Sequence, residues 1–328
     1  MRVRLVSADD EAGWRSALDN VPHGIAHTFD FVTLMGRAKN ARPFLLVAEN
    51  DRGKVICPLA ERRFQDVPDV FTPYGISGFA GHGDLSGFPQ AWENFAKEHD
   101  YVAAYVLQNP LLAPADIAGW ISAESGEARE TYWIDLTGTE DERLSRVSRR
   151  KRGALRKWLG AAAPETDRQK LADAFVGLYP GFMAQRGAGS AYRYTPEELT
   201  LLVSLPGTFL TGVCNARGEV CCVALFGMTA HSGDYLFMVS NEDGQEHGSG
   251  VLWLGLRHMA SLQVPHCHLG GGIAEGDGVA EFKRRLGGQP LALHAVQQVF
   301  NAGRYRSLCR EAGCRPGSTA YFPAYYGS

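Results

Sequence analysis

The stretch His268-Leu-Gly-Gly-Gly-Ile-Ala-Glu-Gly-Asp277-Gly-Val-Ala-Glu-Phe282-Lys283-Arg-Arg-Leu-Gly-Gly288 decides how the chain is read. It follows a helical pattern and the short run Gln263–Cys267, so Gly270, Gly271 and Gly272 fall at a strand end. Consecutive glycines there suit a place where a substrate approaches the backbone closely. Phe282 and Lys283 follow in a short helical stretch beginning near Gly278. A lysine beside such a cleft can stabilise an oxyanion during acyl transfer, although most helix lysines are only solvated surface charges.

Upstream lies Asp234-Tyr-Leu-Phe-Met-Val-Ser240, a strand pattern, then Gln245-Glu-His-Gly248-Ser-Gly250, then a helical pattern over Val251–Leu262. Q-x-x-G-x-G between a strand and a helix resembles the pyrophosphate loop of GNAT acyltransferases, where amides entering the helix meet phosphate oxygens. The same glycines serve equally well to pack a helix N-terminus on a sheet.

Two apolar runs around a polar turn occur twice, as β-hairpins: Phe44–Glu49 with Lys54–Ala60, and Thr208–Cys214 with Glu219–Phe226. Helical patterns cover Asp9–Leu18, Ala91–Glu98, Thr166–Met183 and Thr195–Ser204, and strand patterns Tyr101–Leu107 and Tyr132–Thr137. The sequence predicts an α/β protein of two similar halves, residues 1–140 and 161–328, each a mixed sheet flanked by helices. A connecting segment, 141–160, with a helical pattern over Glu140–Leu159, carries Arg143, Arg146, Arg149, Arg150, Lys151, Arg152, Arg156 and Lys157. It reads either as a solvated linker or as a platform for phosphates.

The 328 residues are 45% hydrophobic and 21% charged, with net charge −3. Whole-surface attraction to nucleic acid is thereby excluded, which leaves a local patch such as the basic helix. The seven cysteines form no C-x-x-C pair and are expected to be reduced thiols, with no zinc site. No apolar run approaches the ~20 residues needed to span a bilayer. Arg2, Arg4, Asp9 and Asp10 stand where a secretion signal needs apolar residues, so a cytoplasmic location is expected.

The L-G-G-G…D…E-F-K run resembles the C-terminal signature of the Fem family, the aminoacyl-tRNA-dependent peptidyltransferases of peptidoglycan bridge formation. Pieces similar to that family occur in order along nearly the whole chain: His27-Thr-Phe29, Cys57-Pro-Leu-Ala60, Phe71-Thr-Pro-Tyr74-Gly-Ile-Ser-Gly78, Ile134-Asp-Leu136 with the basic helix, Tyr179–Arg186 with Tyr192-Arg-Tyr194, and Tyr321-Phe-Pro-Ala-Tyr325. The resemblance implies two GNAT-like domains in tandem and transfer of an amino acid from charged tRNA to an amine. The acceptor would be a peptidoglycan precursor or a small peptide-like metabolite. It also implies that Lys283 stabilises the oxyanion and that Phe282 positions the aminoacyl adenosine. Arg186 or Arg193, with Lys39 or Arg37 from the first half, would bind acceptor phosphate, and Tyr74, Gly270–Gly272 and Asp277 would line the substrate. Arg149, Arg150, Lys151, Arg152, Arg156, Lys157, Gln245, Gly248 and Gly250 would meet tRNA or phosphate. Asp277 or the substrate itself would take the amine proton. No cofactor is implied beyond charged tRNA as co-substrate, and a compact monomer without the long helical arm is expected. The rival readings are an acyl-CoA-dependent N-acyltransferase, with acetyl-CoA or another acyl-CoA as donor, and a non-catalytic RNA-binding protein.

Overall fold

A computed structural model describes residues 1–37, 41–189, 192–272, 277–317 and 321–327, except the side chain at 37. The described residues form β1 (Arg2–Ser7), α1 (Glu11–Leu18), α2 (Phe29–Arg37), β2 (Arg42–Glu49), β3 (Gly53–Phe64), β4 (Val67–Phe71), β5 (Ala80–Gly83), α3 (Phe88–Glu98), β6 (Ala103–Leu107) and α4 (Ala115–Ala123). Next come β7 (Arg129–Asp135), α5 (Glu140–Ser145), α6 (Arg149–Ala161), α7 (Arg168–Gln185), α8 (Pro196–Ser204), β8 (Thr208–Cys214), β9 (Val220–Met228) and β10 (Gly233–Ser240). The chain continues through α9 (Gly248–Ser261), β11 (His266–Gly271), α10 (Gly278–Arg285), β12 (Gln289–Leu293), β13 (Ala295–Val299) and α11 (Ala302–Glu311).

Both expected hairpins form, and the same device closes each. Asn50 Oδ1 accepts from the amides of Arg52 (2.9 Å) and Gly53 (2.8 Å). Asn215 Oδ1 accepts from Arg217 and Glu219, both at 3.0 Å. An Asn side chain that binds the backbone just ahead of it makes a turn locally, before any tertiary contact.

The sheets repeat one plan. The first runs β1-β2-β3-β4-β6-β13, with β5 also on β3; the second runs β12-β7-β11-β10-β9-β8. In the first, four antiparallel strands, β1 to β4, meet β6 through a short parallel pairing on β4; in the second, three, β8 to β10, meet β11 in the same way through β10. An antiparallel strand follows on the far side, β13 on β6 and β7 on β11.

Those flanking strands move the expected boundaries. The compact units are Met1–Arg129 with Ala292–Ser328, and Glu130–Leu291, instead of 1–140 and 161–328. β7 precedes the second unit's helices yet completes its sheet, while β13 returns from the C-terminal side to complete the first sheet. The connecting segment belongs wholly to the second unit and is two helices, not one. The break at Arg146–Ser148 has a physical cause: Val147 turns into the core, and the Ser148 amide donates to the Arg285 carbonyl (3.0 Å).

In the second unit one sheet face, carrying Tyr132, Ile134, Cys267 and Leu269, packs on Leu252, Trp253, Leu256 and Met259 of α9 and Leu155 of α6. Cys221 and Cys222 are fully buried there, as the apolar run around them implies. Each large apolar side chain so buried contributes about 1.5–3 kcal/mol.

Candidate active site

β10 and β11 pair only at Gly233↔Cys267 and Asp234↔His268. Beyond that point each strand is irregular, β10 between Tyr235 and Phe237 and β11 between His268 and Gly270. The two strands part toward their carboxyl ends, the place where open α/β sheets leave a crevice for ligands.

The expected glycine-rich end of β11 lies at this opening. Gly270 has φ +74°, a left-handed conformation that a side chain would strain, and a Cβ there would come 3.4 Å from Lys283 Nζ. A Cβ on Gly271 would stand 2.9 Å from the Glu130 carbonyl. Gly272 is exposed just past the strand. Helix α10 starts at Asp277, whose carboxylate accepts from the Ala280 amide at 2.7 Å. This cap fixes the helix so that Lys283, 6% exposed, reaches back and donates to the Gly271 carbonyl at 2.6 Å. Burial lowers the Lys283 pKa to about 8, against a smaller opposing pull from Asp277. The ammonium keeps two further N–H donors beyond the one given to Gly271.

Phe282 is half-buried against the unit's core, and Lys151 Nζ sits 4.9 Å from its ring centroid. The basic helix α6 thus touches α10 through a cation–π contact. Several of its other charges are engaged internally. Arg143 donates to the carbonyls of Leu136 (3.0 Å) and Gly138 (2.6 Å), and Arg152 to that of Ser145 (3.1 Å). Arg146 pairs with Asp135 at 3.0 Å and Arg156 with Asp141 at 2.8 Å. Arg149, Arg150 and Lys157 are exposed, with no side-chain partner among the described residues.

At the root of the crevice stand two buried polar residues to which the sequence pattern assigns no role. His268 Nδ1 accepts from the Gly270 amide (3.2 Å), so its proton resides on Nε2, which donates to Thr131 Oγ1 (2.8 Å). Burial and then the nearby Lys283 charge lower the His268 pKa to about 3, which keeps the ring neutral. Asp234, 7% exposed, makes no side-chain hydrogen bond among the described residues, and burial raises its pKa to about 7. An acid at the head of the otherwise apolar run Tyr235–Val239 was the available signal.

The glycines of the Gln245–Gly250 segment have packing tasks. Residues Glu242–His247 form a 3-10 turn, and α9 begins at Gly248, three residues earlier than its apolar pattern suggests. A Cβ on Gly250 would fall 2.3 Å from the Trp158 indole, whose Nε1 donates to His247 Nδ1 at 2.9 Å. Gln245 is exposed, and Gly248 lies near the Met238 sulfur. No side chain caps α9, but Glu242, Asp243 and Glu246 line the adjoining concavity together with Arg217.

No protein-family model matches the sequence, and no curated protein does. Among solved structures, FemX superposes with a TM-score of 0.71 over 94% of this chain and 99% of its own, at 12% identity. The chain has a Fem-like fold. Its two units are the tandem GNAT-like domains that the sequence implied. The C-terminal domain of a putative lysylphosphatidylglycerol synthetase from Agrobacterium fabrum matches at TM-score 0.57 and 14% identity, over 89% of this chain and 92% of that one. L-PGS from Bacillus licheniformis matches at 0.56 and 12%, over 91% and 94%. At such identities these are likenesses of fold.

Within this Fem-like fold, Phe282, Lys283, Gly270, Gly271 and Asp277 come together at one crevice, with Lys151 against Phe282. Arg186 and Arg193 do not join them through any described contact: both are exposed on the connection from α7 to α8, and Arg186 stacks 5.1 Å from its neighbour Phe182. Tyr74 is half-buried in the first unit, after β4. Lys39 lies outside the described residues. No helix among the described residues is long and apolar enough to cross a membrane.

Proposed function

We propose that the protein is an aminoacyl-tRNA-dependent transferase that joins the aminoacyl group to an amine as an amide. The observation that carries this reading is the Lys283 ammonium, buried, fixed by the Gly271 carbonyl at 2.6 Å and retaining free N–H donors at the open end of β11. The acceptor nitrogen attacks the ester carbonyl of the charged tRNA, and its C–N bond forms while negative charge builds on the carbonyl oxygen. Lys283 donates to that oxygen. The C–O bond to the terminal ribose then breaks, the ribose oxygen gains a proton, and the amine loses one. The ester is already activated, so neither ATP nor a covalent enzyme intermediate is needed, and positioning with charge stabilisation suffices. Arg149, Arg150 and Lys157, on the helix that reaches Phe282, supply exposed positive charge for acceptor-stem phosphates. The acceptor is a peptidoglycan precursor or a small peptide-like amine, and the protein acts in the cytoplasm.

A second reading, transfer from acyl-CoA, has the uncapped N-terminus of α9 in its favour. The carboxylates of Glu242, Asp243 and Glu246 beside it oppose a pyrophosphate. Incubation with labelled aminoacyl-tRNA or acetyl-CoA and a panel of amines tests the choice. Amide formed from tRNA is expected; amide formed from acetyl-CoA alone would overturn the first reading, and tRNA binding without transfer from either donor would leave a non-catalytic RNA-binding protein.

A further inference from the structure

Asp234 is an anomaly that the proposed chemistry does not use. It is 7% exposed, yet its carboxylate has no hydrogen bond and no ion pair among the described residues, and burial alone perturbs it. Buried carboxylates are ordinarily paired, because an uncompensated charge there costs several kcal/mol. Among the described residues no cation pairs with it. His268, its partner in register, is held neutral with its proton committed to Thr131, and the flanking strand positions are Gly233 and Gly227. The residue occupies the last paired position before β10 and β11 separate, at the root of the opening beyond which Lys283 is bound to the Gly271 carbonyl.

The crevice therefore offers a donor at one end and an unmatched acceptor at the other. From His268, beside Asp234, to Gly271, which holds Lys283, is three residues with one bulge, roughly 7–10 Å along the strand. An α-amino ester has the same polarity and nearly the same reach. With contacts of about 2.8 Å from its carbonyl oxygen to a donor and from its α-nitrogen to an acceptor, it bridges partners roughly 8 Å apart. An ammonium brings three N–H donors and a full counter-charge, which a neutral ligand group does not.

We infer that Asp234 anchors the α-ammonium of the aminoacyl group, making it the residue that selects donors with a free α-amine over N-blocked ones. The inference rests on the aminoacyl-tRNA donor proposed above. Lys283 and Asp234 then act as a two-point gauge. One contact grips the ester carbonyl and the other grips the nitrogen two atoms away, so the reactive carbon is fixed between them. A peptidyl or N-acylated ester lacks the charge and brings an added carbonyl against the Asp234 carboxylate.

The test compares one tRNA charged with an amino acid against the same aminoacyl-tRNA after chemical N-acetylation, in the full-length protein, with kcat/KM measured for each. The wild type is expected to prefer the free amine by roughly 10- to 100-fold, the range of a charge-assisted hydrogen bond. Asp234→Asn is expected to bring that ratio to within about threefold of one, and Asp234→Glu to restore most of it. Equal use of both donors by the wild type, an unchanged preference in Asp234→Asn, or equal slowing of both donors by it would overturn the inference while leaving the donor assignment standing. Transfer from neither tRNA would overturn both. Should Asp234→Asn prove too slow to assay, calorimetric binding of a non-hydrolysable 3′-aminoacylamido adenosine and its N-acetyl form decides the matter. The wild type should favour the free amine and the variant should not; equal affinities in the wild type would contradict the inference.

Discussion

Replacing Lys283 by methionine should separate activity from stability, because the structure assigns that ammonium a cost in the folded state. Burial lowers the pKa from its ordinary 10.5 to about 8. That difference corresponds to about 3 kcal/mol spent at neutral pH on keeping the buried group charged. Against it stands one charge-assisted hydrogen bond to the Gly271 carbonyl, of about 1.5–3 kcal/mol. The two nearly cancel, and methionine keeps the apolar stem. Lys283→Met is therefore expected to melt within a few degrees of the wild type. Without the ammonium to hold the oxyanion, single-turnover transfer from labelled aminoacyl-tRNA should slow by on the order of 10²–10³-fold. A variant that melts far lower and loses activity only in proportion to the unfolded fraction would assign Lys283 a structural role. Full activity would exclude Lys283 as the group that holds the oxyanion.

Four further outcomes follow. Because burial favours the neutral amine of Lys283, its positive charge should disappear as pH rises through about 8, and kcat for transfer should fall on that limb in the wild type; a flat profile to pH 9.5 would exclude the charged ammonium as the oxyanion's partner. Asp234 binds its proton more tightly in the folded state, from its ordinary 3.8 to about 7, so the wild type loses stability as pH rises through that window. The melting temperature of Asp234→Asn relative to wild type should climb between pH 4 and pH 8, by the equivalent of up to about 4 kcal/mol, and a constant difference would contradict this. Gly250→Ala forces a methyl to within 2.3 Å of the Trp158 indole and should cost about 1–3 kcal/mol by thermal melting, whereas unchanged stability would show that the indole yields freely. Changing Arg149, Arg150 and Lys157 to alanine should weaken tRNA binding and flatten its log–log salt dependence by about 0.7–0.9 for each phosphate that is no longer neutralised; an unchanged slope would place the tRNA elsewhere.

Local signals were legible in the sequence wherever the chain's own chemistry sets the structure. Both hairpins close on an Asn side chain bonded to the next amides, and α10 opens on Asp277 bonded to Ala280, all within five residues. The last of these sets the start of α10, from which Lys283 donates to the Gly271 carbonyl. Domain limits were not legible, because β7 and β13 are each completed by strands distant in sequence, and nothing local reports such pairing. Nor was the break in the basic helix, since continuous helical propensity through Arg146–Ser148 is overridden by burial of Val147 and the bond from Ser148 to Arg285. Gly250 resembled a phosphate-loop glycine, yet what requires it is an indole from 92 residues upstream. For Asp234 the sequence shows an acid at the head of an apolar run, but its lack of a partner among the described residues is a property of the folded chain.

In the proposed reaction charged tRNA is the donor and Lys283 the group that stabilises its reacting carbonyl. The most direct measurement is a single-turnover reaction of wild type and Lys283→Met with tRNA carrying a labelled amino acid and an amine acceptor at pH 7. Labelled amide and free tRNA are expected in equal amounts with the wild type, and a rate lower by on the order of 10²-fold or more with the variant. Labelled amide forming equally fast with both proteins would contradict it.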